Sequence, residues 1–223
     1  MIKKKIFIAV DTNNITTAKK IINNSKSSEL EIGYKFGLEF INSKKGRLFL
    51  SKIKKKIVFL DLKLNDIPKT MARTVQTIKD LKINYLTVHI SSGITALKAV
   101  KKISGNISIV GVTTLTSLDN KDLKMIGYSK PIKNLVLQQT KLAKKANLDA
   151  LVCSAQEVKY VKKIFKKEII TPGIRMNSNH NDQKRVMTPK KAFEEGSDSL
   201  VIGRSITRGN IKKNIKNLIK SLS

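Results

Sequence analysis

The segment IVFLDLKLNDIPKT, residues 57–70, starts as protein interior and ends in charge. Ile57 to Leu60 is an unbroken apolar run that reads as a buried strand. Asp61, Lys63 and Asp66 then arrive within six positions, and Pro68 follows, its fixed φ suited to the first turn of a helix. Side chains alternate along a strand, so Ile57, Phe59, Asp61 and Lys63 share one face while Val58, Leu60 and Leu62 share the other. A strand that passes from hydrocarbon into charge at its C-terminal end and hands on to a helix is one unit of a parallel βα repeat.

The unit recurs. Short apolar, β-branched runs stand at 6–11 (IFIAVD), 31–37 (EIGYKFG), 57–63, 85–90 (YLTVHI), 108–114 (SIVGVTT), 150–155 (ALVCSA), 168–174 (EIITPGI) and 199–204 (SLVIGR). Between them lie segments with helical spacing, such as Ile132, Leu135, Val136, Gln139, Leu142 and Ala143. Eight alternations without a long structureless insert predict an α/β fold, a (β/α)₈ barrel occupying residues 1–223 as a single domain, with an open doubly wound sheet as the alternative. Polar residues sit at or just past the ends of the runs: Asp11, Lys35, Asp61 with Lys63, His89, Thr116, Ser154, Arg175 and Arg204. In a barrel those ends converge on one mouth, so a site is expected there. Inward charges on a barrel strand can also be paired simply to fill a layer, but convergence of Lys35 and Asp66 on Asp61 and Lys63 favours chemistry.

Composition narrows the classes further. Of the 45 basic residues only six are Arg, and the formal net charge is +29. Such a charge attracts phosphate backbones. Here, however, the lysines are scattered as pairs over nearly every helical segment, without the interleaved aromatics a stacking platform requires, so a basic nucleic-acid-binding protein is the rival of a different class. A single cysteine, Cys153, excludes an internal disulfide framework and a multi-cysteine zinc site and suits a reducing, cytoplasmic setting; its place in a run reads as packing. The N-terminal apolar stretch, Ile6 to Val10, is too short for a secretory h-region or a membrane span.

LDLKLNDIP resembles the D-x-K-x-x-D-I signature of the orotidine 5′-phosphate decarboxylases. The likeness continues in order through AVD (9–11), YKFGLEF (34–40), TVH (87–89), LTS (115–117), VCSAQE (152–157), TPGIR (171–175), DQKRVMTP (182–189) and VIGRSIT (201–207). Two positions depart from it: Met176 stands where a proline often follows TPGIR, and Ser92 replaces a glycine of H-x-x-G-G. The resemblance implies decarboxylation of orotidine 5′-monophosphate to uridine 5′-monophosphate, without cofactor or metal. It matches Lys63 to the proton donor and Lys35, Asp61 and Asp66 to the charged network around it. It also implies a homodimer in which Asp66 serves the neighbouring subunit's site. Asp11 and Lys35 match ribose-contacting positions, and Asp61 and Thr70 end the segment lining the substrate. Thr116 and Ser154 match nucleoside contacts, while Arg175, Gln183, Gly203 and Arg204 match the phosphate side. The polar stretch RMNSNHNDQKR, 175–185, is expected to act as a lid over the phosphate. His89 is expected to be a hydrogen-bonded rim or core residue and His180 a solvated one. A metal-dependent sugar-phosphate decarboxylase of the same superfamily, reusing D-x-K-x-x-D, is the nearest enzymatic alternative.

Overall fold

A computed structural model describes residues 3–176 and 186–222. Eight parallel strands close into a barrel in chain order: β1 (Lys4–Ala9), β2 (Leu30–Gly37), β3 (Ile57–Leu64), β4 (Tyr85–His89), β5 (Ser108–Val112), β6 (Ala150–Val152), β7 (Glu168–Thr171) and β8 (Ser199–Ile202). Pairing of β1 with β8, Ile6 opposite Leu200, completes the ring and rules out the open sheet. Helices occupy the connections. Pro68 is the first helical residue of Pro68–Thr77, as expected from the sequence. The Ile132–Lys145 helix buries Leu135, Val136, Gln139 and Ala143 along the anticipated stripe.

Alternation along the strands divides the apolar residues into two cores. Outward-facing Ile6, Ile8, Tyr34, Phe36, Val58, Leu60, Leu86 and Val88 pack beneath the helices. Inward-facing Phe7, Ala9, Phe59, Tyr85, Val110, Ala150, Ile170 and Val201 fill the barrel. The rings of Phe7, Phe59 and Tyr85 meet near edge-on or tilted, with centroids 5.0–5.7 Å apart. Gly33 gives them room, since a Cβ there would lie 2.7 Å from Cδ1 of Phe7. Below this layer Lys5 Nζ donates to Tyr85 Oη at 2.9 Å and to Glu168 at 3.3 Å, closing the N-terminal end with a paired charge. Burial alone would lower the Lys5 pKa, but the bond to Tyr85 and the Glu168 carboxylate raise it instead. The opposite end of the barrel is therefore the open one.

Among the described residues no helix is long and apolar enough to cross a membrane.

Candidate active site

The site begins with a fault in the β3–β4 ladder. Leu60 pairs with Leu86, and the next pair is Leu64 with Val88, so three residues of β3 face the single Thr87 of β4. Two extra residues make a bulge of even length, which preserves the alternation: Asp61 and Lys63 stay on the barrel side. Lys63 absorbs the irregularity with φ +49°, a left-handed conformation costing a side-chain-bearing residue about 1–2 kcal/mol. Its backbone N–H leaves the ladder and donates to Thr87 Oγ1 at 2.8 Å.

Asp61 is the hub. It is 8% exposed. Oδ2 accepts from Lys63 Nζ at 2.8 Å and lies 3.2 Å from Lys35 Nζ, while Oδ1 accepts from the Thr87 hydroxyl at 2.9 Å. Lys35 comes from the inward face of β2, and its Nζ also lies 3.5 Å from Asp11 Oδ1, just past β1. Burial by itself would raise the Asp61 pKa, yet the two ammoniums and the hydrogen bonds outweigh it and hold the carboxyl below its ordinary range. Burial would lower the Lys35 pKa, and the carboxylates of Asp61 and Asp11 raise it instead. Asp61 and Lys35 thus sustain each other's charge. His89 is half-buried beside them, and desolvation followed by the Lys63 charge lowers its pKa, keeping it neutral near pH 7 despite the opposing Asp61.

Asp11, Lys35, Asp61 and Lys63 edge a cavity of about 580 Å³ at the C-terminal mouth, within the range of small-molecule sites. Its floor is apolar, formed by Ala9, Phe59, Val112, Val152 and Val201. Thr116, Gly203, Arg204 and Arg175 line it as well. Among the described residues, five cationic side chains, Lys35, Lys63, Arg175, Arg204 and Arg208, face it against two carboxylates, Asp11 and Asp61. The site therefore suits an anion with a flat apolar part.

Other expected residues lie apart. Ser154 is buried and accepts from the Gln156 N–H at 3.4 Å, whereas its neighbour Cys153 reaches the cavity wall, one residue beyond β6 rather than within it. Asp66 and Thr70 are exposed beyond the end of β3, outside the cavity of this single chain. Asp66 Oδ1 accepts from the Ile67 N–H at 2.6 Å, and Ile67 is 65% exposed. Gln183, His180 and all of the expected lid after Met176 lie outside the described residues. Sequence reasoning assigned nothing to Thr87 or Arg208. Thr87 had a signal in the period-two series Tyr85, Thr87, His89, which puts it on the same inward side as Asp61; Arg208, beyond the last strand, had none.

A closed parallel barrel with its charged cavity at the C-terminal end defines a (β/α)₈ barrel of the kind that binds substrates at that mouth. Within this class the chain belongs to the orotidine 5′-phosphate decarboxylase / HUMPS family, whose family model matches residues 4–215. It is 43% identical over 226 residues to an orotidine 5′-phosphate decarboxylase of Wolbachia pipientis subsp. Culex pipiens, covering 98% of both chains. To that of Coxiella burnetii (strain RSA 331 / Henzerling II) it is 37% identical over 217 residues, 92% of this chain and 90% of the other. The crystal structure of the Lactobacillus acidophilus orotidine 5′-phosphate decarboxylase superposes with a TM-score of 0.85 at 28% identity, covering 99% of this chain and 100% of that one.

Proposed function

We propose that this chain decarboxylates orotidine 5′-monophosphate to uridine 5′-monophosphate, the last step of de novo pyrimidine synthesis, with no metal or organic cofactor. The observation that carries the reading is the Lys35–Asp61–Lys63 network at the mouth of a barrel of this family. The names of the curated relatives support it.

Loss of CO₂ from C6 leaves an electron pair in an sp² orbital with no adjacent carbonyl to take it as an enolate. The protein must then lower the barrier by an amount near the top of the ~8–23 kcal/mol that enzymes supply. An ammonium aimed at C6 meets charge that exists there only as the C–C bond breaks, so it stabilises the transition state more than the bound substrate. Lys63 has that role. As the C6–carboxylate bond cleaves, the pair stays on C6 and CO₂ departs; a proton from Nζ then forms the C6–H bond, and the neutral amine is reprotonated from water.

Asp61 acts through the lysines. A second carboxylate at about 4 Å would repel the substrate carboxylate by roughly 4 kcal/mol at an effective dielectric of 20, but that effect is not needed to explain its position. Its observed partners are the two ammoniums, which it holds in place. Asp11 and Lys35 would hold the ribose, Thr116 and Ser154 the nucleoside, and Arg175, Gln183, Gly203 and Arg204 the phosphate, with Arg supplying paired donors to phosphate oxygens. The working unit in this reading is a homodimer, in which Asp66 serves the partner's cavity. The exposure of Asp66, next in sequence to the uncovered Ile67, supports that arrangement. A cytoplasmic setting goes with it, supported by a chain whose one cysteine builds no internal disulfide.

Purified protein incubated with orotidine 5′-monophosphate and excess EDTA should release one CO₂ per uridine 5′-monophosphate formed. Activity abolished by EDTA and restored by a divalent cation would instead assign the metal-dependent alternative.

A further inference from the structure

Thr87 stands at the register shift in the β3–β4 ladder, and its hydroxyl is engaged twice. It donates to Asp61 Oδ1 at 2.9 Å and accepts the Lys63 backbone N–H at 2.8 Å. It is 1% exposed, so no water competes for either bond. Three residues of β3 oppose it, and the N–H it receives is the one that Lys63 withdraws from the ladder by turning to φ +49°. One oxygen atom is thereby bonded to both ends of the Asp61–Lys63 couple, from outside the strand that carries them.

We propose that Thr87 is a positioning residue for the decarboxylation, orienting Asp61 and locking the left-handed backbone from which Lys63 projects. The inference rests on the function proposed above. With Oδ1 engaged by Thr87, Oδ2 is the oxygen turned to both ammoniums, at 2.8 Å from Lys63 and 3.2 Å from Lys35. The β-branched side chain has few rotamers, so the hydroxyl is delivered in a fixed direction. Packing alone does not call for threonine here. Valine has nearly the same shape, and a buried hydroxyl is costly wherever its bonds are not made. The polar atom is therefore what the position requires.

The test compares Thr87→Val, which keeps the shape and deletes the hydroxyl, with Thr87→Ser, which keeps the hydroxyl and deletes a methyl group. Removing a hydrogen bond to a charged group should lower kcat by about 10- to 100-fold in Thr87→Val, with KM for orotidine 5′-monophosphate changed by less than about twofold. Thr87→Ser should recover the rate to within about threefold of wild type, although its thermal midpoint also falls. Should Thr87→Val fail to fold, Thr87→Ala set against Thr87→Ser makes the same comparison. Wild-type kcat in the hydroxyl-free variant, an equal loss in the serine variant, or a loss confined to KM would each overturn the assignment. An inert wild-type protein would overturn the proposed function along with it, whereas an active wild type beside an unimpaired Thr87→Val overturns the role of Thr87 alone.

Discussion

Lys63 combines a charge that chemistry needs with a backbone that folding disfavours. Its φ of +49° is a conformation glycine adopts freely, so Lys63→Gly should be more stable than Lys63→Ala by about 1 kcal/mol in denaturant unfolding, with both variants inactive. Equal stabilities would mean that the left-handed turn is not maintained once the lysine is gone. Asp61 gives the complementary case. Its folded pKa lies below its unfolded value of about 4, so the ionised group adds stability that is fully present above that value and is lost as pH falls through the folded one. Lys35 is the mirror image: its raised pKa adds stability that is present below about 10.4 and is lost as pH rises through the folded value. Asp61→Asn leaves two lysines without their shared counterion and should cost about 3 kcal/mol at pH 7. The same variant should show a flatter loss of stability on acidification below pH 4 than wild type, measured by urea unfolding across pH.

At the scale of elements, period-two alternation was readable because burial inside and outside a closed barrel imposes it on every strand. Phe59 and Asp61 facing inward, and Leu60 facing out, follow from that rule. The register slip did not follow. No glycine or proline marks the bulge, because the residue that takes the positive φ is Lys63 itself, held by a tertiary bond from β4. Local signals report local preferences, and this conformation is set by a strand 24 residues away. Gly33 was likewise silent in sequence, since its role depends on Phe7 of the neighbouring strand. Filling its space by Gly33→Ala pushes a methyl into the aromatic layer and should cost about 2 kcal/mol, lowering Tm by roughly 5 °C in calorimetry. An unchanged Tm would show that the layer has slack.

For the whole molecule, the convergence of strand ends was legible from the recurring runs alone, whereas the sharing of Asp66 between subunits is implied only by the family resemblance. The resemblance implies that Asp66 serves the neighbouring subunit's site and that Thr70 ends the segment lining the substrate; both stand outside this chain's own cavity. Mixing inactive Lys63→Ala with inactive Asp66→Asn and allowing exchange should restore about a quarter of wild-type activity, because one of the two sites in each heterodimer has both residues intact. Mixtures that stay inactive would return Asp66 to its own subunit or to no role. The charge of +29 was visible from composition, but its use was not. With Lys35, Lys63, Arg175, Arg204 and Arg208 facing the cavity, it should speed capture of a substrate carrying about three negative charges, so added salt should lower kcat/KM while leaving kcat unchanged. Whether a fixed amine meets the electrons left on the pyrimidine is read out by the single-turnover rate of orotidine 5′-monophosphate decarboxylation in Lys63→Ala with its fold verified. A fall of about 10⁴-fold or more against wild type is expected; a variant that turns over at the wild-type rate would remove Lys63 from the chemistry.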